Sequence, residues 1–386
     1  MDAFSLKIPS PALVVPTLVV AGIAYAVHRF TTRISPNVPY AGEESLVDRL
    51  RVPVDYGKDP VAFLRRTREK LGDVFCVDLF AVKIMFVLGT EGNKEVMRAP
   101  EDKLSFFEQI RWSMGPLMSE LVDVPDWNQT SLRLIRLALL RQGCLDECTS
   151  VCSILTEEHF EKWAKQGTIP LFRSFSYLVI AYLLVVFTGE DFYRKYGDEL
   201  VPLMAQFECD LQQPLLRVVP WSLWRFTRPG RALSVICTRF NEIIDLELRD
   251  IYSNPEKHKD RSDYIYFIVS QLGDKYAHCY GRHIMGIIFG GHANVALTIP
   301  WLFLHARRTP GALARIHEEA LLPPDTRRPY LDACLRETGR LYSNTAIMRM
   351  TTRTVDILGH AVPPHTLVAC SPLATQRADA VFPRAG

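Results

Sequence analysis

Neither sign of charge dominates this sequence: 45 Lys and Arg stand against 43 Asp and Glu, a formal net charge of +2. With no long Lys/Arg run either, nothing provides the electrostatic footprint of a nucleic-acid partner. Internal repeats and low-complexity tracts are absent, which argues against an array architecture. Cysteines are odd in number, nine scattered through 386 residues. That disfavours a secreted disulfide framework and points to reduced thiols facing a cytosol. What is present, 48% hydrophobic and 23% charged residues, describes a folded chain with a large core in one big domain or two ordinary ones.

Charge is missing altogether from Ile8 to Val27, a run of 20 residues. At ~1.5 Å per residue this run is about as long as a bilayer's hydrocarbon core is thick. We expect a short lumenal N-terminus at 1–7 and a transmembrane anchor at 8–28. The alternative, a cleaved signal peptide, usually has a shorter apolar region. Ala21-Gly22-Ile23-Ala24 imitates a cleavage site, but apolar residues continue to Val27. His28, Arg29 and Arg33 follow the run, and the positive-inside rule then leaves the rest of the chain in the cytosol. Pro36 and Pro39 suggest a stiff, extended hinge over 29–45, with one globular domain over 46–386.

Within that domain, the β-branched and aromatic residues from Gly72 to Gly89 predict two short strands. Helical patterns then dominate for most of the chain. Thr354–Leu358, Ala361–Val362 and Thr366–Ala369 predict a small hairpin interrupted by Pro363-Pro364. Ser174–Gly189 reads as a fully buried helix. Ile284–Leu304 is long enough to span a membrane, yet its glycines, His292, Asn294 and Pro300 suit a helix lining an internal cavity better. Lys257, Lys259 and Arg261 read as a solvated loop.

Two clusters stand out as chemistry. Gly290 and Gly291 sit inside that long helical pattern, each costing about 1 kcal/mol relative to alanine. Either they allow close helix packing, or they admit a flat bulky group with His292 and Asn294 at its edge. Glu337 and Arg340, three apart, share a helix face and can pair. Cys144, Cys148 and Cys152 recur every four residues, but with no histidine spacing they read as small apolar core residues rather than metal ligands.

In this order, the features resemble the cytochrome P-450 family, haem-thiolate monooxygenases of mainly α fold with small β-sheet elements. Phe187-Thr188-Gly189-Glu190-Asp191-Phe192 looks like the turn after the family's buried E helix. Gly290 to Asn294 is similar to the oxygen-activation motif of its I helix, and Glu337 with Arg340 to the Glu-x-x-Arg of its K helix. Arg349 falls where a haem-propionate arginine follows, and Gln376–Pro383 resembles the lead into the meander. The resemblance implies haem b in a complete relative, electrons from NADPH through NADPH–cytochrome P-450 reductase, and a lipophilic small-molecule substrate. It implies a single-pass protein of the endoplasmic reticulum membrane, with a fungal secondary-metabolite flavour (terpenoid, sterol or polyketide). Gly290, Gly291 and Arg349 would contact the cofactor, Glu337 and Arg340 would brace the haem side, and Asn294 with His292 would order water for proton delivery.

Three departures qualify these expectations. Ala293 and Asn294 stand where the family usually has an acid followed by Thr, and an amide can hold a water but is no carboxylic acid. The tryptophan–arginine pair of the C helix is not evident; Arg133 or Arg136 would substitute. None of the nine cysteines sits in the pattern Phe-x-x-Gly-x-x-x-Cys-x-Gly that supplies the sulfur ligand, a donor with no equivalent replacement. The expectation is a chain ending before that loop, which leaves a second reading, an inactive remnant holding no haem. A third, a multi-span membrane protein, needs Ile284–Leu304 to cross the bilayer.

Overall fold

The computed structural model describes residues 33–382 except 36, 80–81, 115–116, 118–123, 125, 141–143, 214–215, 217–220, 324, 343–345 and 379–380. The expected anchor at 8–28 and the first hinge residues lie outside the described part. Local signals start many of the helices. Ser45 caps α1 (Leu46–Lys58) by accepting from the Asp48 N–H, and Asp59 caps α2 (Pro60–Leu71), whose Pro60 has no N–H to satisfy. Strands β1 (Val74–Asp78) and β2 (Lys83–Val87) follow as an antiparallel pair, Val74 opposite Val87. Next come α3 (Gly89–Arg98), β3 (Leu104–Ser105), α4 (Phe106–Met114) and α5 (Trp127–Leu139).

The helical body consists of α6 (Cys144–Gln166), α7 (Leu171–Thr188), α8 (Glu190–Leu211), α9 (Arg228–Ser253), α10 (Tyr264–Leu272) and α11 (Ala277–Arg308), then α12 (Ala312–Ala320) and α13 (Pro329–Leu341). The chain returns to β structure in β4 (Ile347–Thr351), β5 (Val355–Ile357), β6 (His360–Val362) and β7 (Leu367–Cys370), before α14 (Pro372–Gln376). The five-stranded sheet has the order β1-β2-β7-β4-β3. Its alternation is clean: Phe75, Val77, Ile84 and Phe86 pack into one core, Cys76, Met85 and Val87 into the other.

The two strands expected between Gly72 and Gly89 are found. The C-terminal hairpin differs from expectation. Only β5 and β6 pair with each other, while β7 leaves them for the main sheet, parallel to β2 and antiparallel to the unanticipated β4. Pro363 and Pro364 end the hairpin, and the chain then turns toward a different partner. The hinge expectation is also corrected. Val38 and Tyr40 are fully buried, and backbone bonds join Ala41 N–H to Cys76 O and Cys76 N–H to Pro39 O at 2.9 and 2.8 Å. Residues 38–41 therefore dock on β1 and belong to the domain rather than to a free spacer.

Both long apolar helices sit in the bundle. Half of α7 is buried, packed against α6, α8 and α11. On α11 the packed side carries His283 and His292 with hydrogen-bond partners on other helices. The same helix is buried over only 22% of its most apolar window, and its far side is left uncovered by the described residues at Gly290, Asn294 and Leu297.

Arg261 is not part of a solvated loop. Its guanidinium donates to Glu247, to Asp263 Oδ2 at 2.6 Å and to the Thr188 carbonyl at 2.9 Å. It thereby ties the end of α7 to α9 and to the N-cap of α10. Gly189, which closes α7, needs its φ of +86°, and a Cβ there would meet Asp263 at 3.0 Å. Arg261→Met should destabilise the domain by ~3–5 kcal/mol, because two largely buried carboxylates lose their counterion. The midpoint of urea unfolding checks this, and Arg261→Lys should recover only part, lacking the planar fork.

His283 gives a second test. It is buried, bonds the Tyr264 hydroxyl at 2.8 Å through Nε2 and stands edge-on to Trp127. Burial pushes its imidazole down to about 3. Between that value and the ordinary value of about 6.5 the unfolded chain binds the extra proton, so stability falls on acidification through this window by up to ~1.4 kcal/mol per pH unit. His283→Gln should flatten that part of the dependence of the urea midpoint on pH.

Candidate functional site

Helix α11 divides into two stripes. Ile284, Ile288, His292, Ala296 and Pro300 recur every four residues and are buried. Gly290, Asn294 and Leu297 recur at helix-face spacing on the opposite side and are exposed. A Cβ on Gly290 would meet nothing within 4 Å, whereas one on Gly291 would come within 3.2 Å of Leu183 on α7. The two readings of the glycine pair thus divide between its members. Gly291 serves close helix packing, and Gly290 borders open space.

His292 is turned away from that space. It is 3% exposed, its Nδ1 pairs with Glu208 of α8, and its Nε2 lies 2.9 Å from Ser176 Oγ of α7. Residues two apart on a helix are ~200° apart around its axis, so His292 and Asn294 face opposite sides. The expectation that both order one water is corrected accordingly. The sequence of serine, imidazole and carboxylate resembles a hydrolytic relay. Ser176, however, lies inside α7, where backbone N–H groups are spent within the helix and no oxyanion donors remain.

Glu337 and Arg340 are brought together as a bidentate pair, 2.7 and 2.6 Å. The remaining guanidinium nitrogen donates to Gln376 O at 2.6 Å, so the pair joins α13 to α14. Arg340 is largely buried while Glu337 is over half exposed, and the guanidinium holds the Glu337 carboxyl below the usual carboxylate range. Arg349, on β4, lies over the Phe106 ring at 5.2 Å and donates to Met348 O. Arg133 and Arg136 lie on the exposed side of α5. Three groups escaped the sequence reading: Arg261, His283 and the Glu208 partner of His292. Each depends on contacts distant in the chain, which one sequence does not signal.

Gly290 and Asn294 thus share the open stripe of α11, while Arg349 stands on β4 beside Phe106. Cys76, Cys237, Cys279 and Cys370 are buried, and burial pushes the Cys76 thiol up to about 12 and the Cys370 thiol up to about 11. Such groups stay protonated at neutral pH and are poor thiolate donors.

Comparison with known proteins bears on the family and the fold. The family profile described as Cytochrome P450 matches residues 50–386. Cytochrome P450 monooxygenase pyvB of Aspergillus violaceofuscus is 26% identical over 379 residues, 96% of this chain and 75% of that protein. Cytochrome P450 monooxygenase pynD of Aspergillus niger is 26% identical over 381 residues, 94% of this chain and 76% of its own. Lanosterol 14-alpha demethylase of Cunninghamella elegans is 24% identical over 394 residues, 93% of this chain and 74% of that protein. Among solved structures, retinoic acid-bound cyanobacterial CYP120A1 has the same fold, with a TM-score of 0.69 at 16% identity over 91% of this chain and 80% of that one. Mainly helical with small sheets, and matched by the family profile from residue 50 onward, the chain belongs to the cytochrome P450 family.

Proposed function

We propose that this chain carries the substrate-facing and oxygen-facing body of a monooxygenase acting on a lipophilic small molecule in fungal secondary metabolism. A terpenoid, sterol or polyketide fits the apolar residues around the open stripe, and relatives named as Aspergillus monooxygenases and lanosterol demethylases support that class. The observation that carries the proposal is the uncovered stripe Gly290–Asn294–Leu297 on α11, set against a fully packed stripe on its other side. The segment 8–28 would anchor the protein in the endoplasmic reticulum membrane with the domain in the cytosol, and a partner reductase would deliver electrons from NADPH.

Haem, when held by a thiolate, supplies the oxygen chemistry. The chain's own residues prepare its surroundings. Gly290 leaves room for the flat ring, and Arg349 offers a cation to a ring carboxylate. Asn294, which both donates and accepts, would hold a water on the open stripe without adding a charge there. Leu297, on the same stripe, offers apolar surface and excludes bulk water. His292 acts from behind: tied to Ser176 and Glu208, it fixes the rotation of α11 and so the direction in which Gly290 and Asn294 point.

The test uses two proteins. This 386-residue chain alone should give no thiolate-type spectrum with reduced, carbon monoxide-bound haem, because its cysteines are placed elsewhere. A chimera continuing with the C-terminal quarter of the Aspergillus violaceofuscus relative should give that spectrum and oxidise a lipophilic substrate with NADPH and reductase. A chimera that folds but takes up no haem would refute the proposal.

In the chimera, Asn294→Ala should leave the spectrum intact and slow turnover by ~100-fold, the low end of the range for a lost proton-delivery group. Glu208→Ala leaves a buried imidazole nitrogen without its acceptor and should cost ~1–3 kcal/mol of stability. Thermal unfolding of the 386-residue chain measures it.

A further inference from the structure

The C-terminal end of α11 carries an aromatic group that the oxygen-side reading does not use. Trp301 lies seven residues beyond Asn294, two helical turns and ~10 Å along the axis on the same stripe. Its indole stacks face to face on Tyr342, the residue following α13, with ring centres 4.1 Å apart and planes 7° from parallel. The Tyr342 hydroxyl lies 2.8 Å from His305 Nε2. His305, one helical turn beyond Trp301, also holds its ring 6.0 Å from the indole. All three residues are partly buried. Phe172 of α7 closes the other edge of Trp301, at 5.3 Å.

Packing alone accounts for a Trp–Tyr–Phe stack, but not for an imidazole seated on its phenol. A fixed charge close by sharpens the point. The Arg377 guanidinium lies 5.7 Å from the Tyr342 ring and is held there by the Leu341 carbonyl. A positive charge so placed opposes any oxidised ring that keeps its proton. A base on the hydroxyl removes that obstacle. With its proton on Nδ1, His305 accepts the Tyr342 O–H through Nε2.

We propose that Trp301, Tyr342 and His305 form a redox-active site, a tyrosine oxidised with coupled proton transfer and reached through a tryptophan. One electron leaves Tyr342 for a one-electron oxidant, directly or by refilling an oxidised Trp301. The phenolic O–H bond breaks as an Nε2–H bond forms on His305. The products are a neutral phenoxyl radical and an imidazolium, so the positive charge ends on His305 rather than on the ring beside Arg377. The stripe shared with Gly290 and Asn294 makes the open side of α11 the direction from which oxidising equivalents would arrive. None of this rests on the monooxygenase reading, since the oxidant can be supplied from outside.

The experiment uses the full chain in detergent, without added haem. Photogenerated ruthenium(III) tris-bipyridine is the oxidant and a cobalt(III) ammine the terminal electron acceptor. Transient absorption and freeze-trapped electron paramagnetic resonance should show a neutral phenoxyl radical carrying the signature of a hydrogen-bond donor at its oxygen. Tyr342→Phe keeps the stack and should lower the long-lived radical yield several-fold. His305→Gln keeps a hydrogen bond but no base, and should slow radical formation by about tenfold, one decade in rate, and abolish its solvent deuterium effect. Trp301→Phe should slow formation as well. In the wild-type chain a nitroso spin trap should mark Tyr342 ahead of the other tyrosines, a measurement that needs no variant to fold. Trap adducts that avoid Tyr342, an unchanged radical yield in Tyr342→Phe, or an unchanged rate and isotope effect in His305→Gln would each overturn the proposal.

Discussion

One constraint organises this molecule: α11 must be held rigidly from one side so that its other side can remain uncovered. A helix of 32 residues with adjacent glycines at its middle is weak by intrinsic propensity, and ordinary packing around its whole circumference would leave no space for a ligand. The described residues concentrate the grip on one stripe. Apolar contacts with α7 and α9 provide most of it, and two buried histidines add direction. His283 ties α11 to α10 through Tyr264, and His292 ties it to α7 and α8 through Ser176 and Glu208. Apolar contacts alone tolerate small rotations. A buried imidazole with partners at both ring nitrogens does not, because a rotation leaves a polar atom stranded.

Other long-range ties serve the same end by fixing the helices that grip α11. Arg261 joins α7, α9 and the start of α10 at one guanidinium. Arg340 joins α13 to α14 while Glu337 orients it. An exposed Glu–Arg pair contributes little, but Arg340 is mostly buried and its third contact is a main-chain carbonyl. Its consequence is therefore geometric: it sets where the chain after β7 runs relative to α13.

What the sequence disclosed followed the range of each interaction. The strand pair between Gly72 and Gly89, the buried helix over Ser174–Gly189 and the Glu337–Arg340 pair were legible because alternation, apolar continuity and a three-residue spacing are local. The departure of β7 to β2 was not, since nothing in Leu367–Cys370 names a partner so far back in the chain. The roles of Arg261, His283 and Tyr342 were hidden for the same reason. His292 is a different case. Its opposition to Asn294 was readable from the helix period alone, but the attraction of a compact polar motif outweighed the angular count. Gly290 and Gly291 likewise answer to two causes, though they are adjacent and chemically identical.

The amide at position 294 follows from the surface it stands on. Leu297, about one turn beyond Asn294, is exposed on the same side of α11, and a lipophilic ligand lying there would displace water from the stripe. A carboxylate under that ligand would lose its hydration with no Lys or Arg on α11 within two turns of it to replace that hydration, at a cost of several kcal/mol unless it took up a proton. Once protonated, it would have surrendered the charge that distinguished it from an amide. Asparagine keeps one donor group and one acceptor, enough to orient a water, and its desolvation is far less costly. On the proposed reading, the amide at 294 and the apolar Leu297 beside it would be one adaptation: a polar contact retained at the lowest electrostatic cost on a surface that an oily molecule would cover.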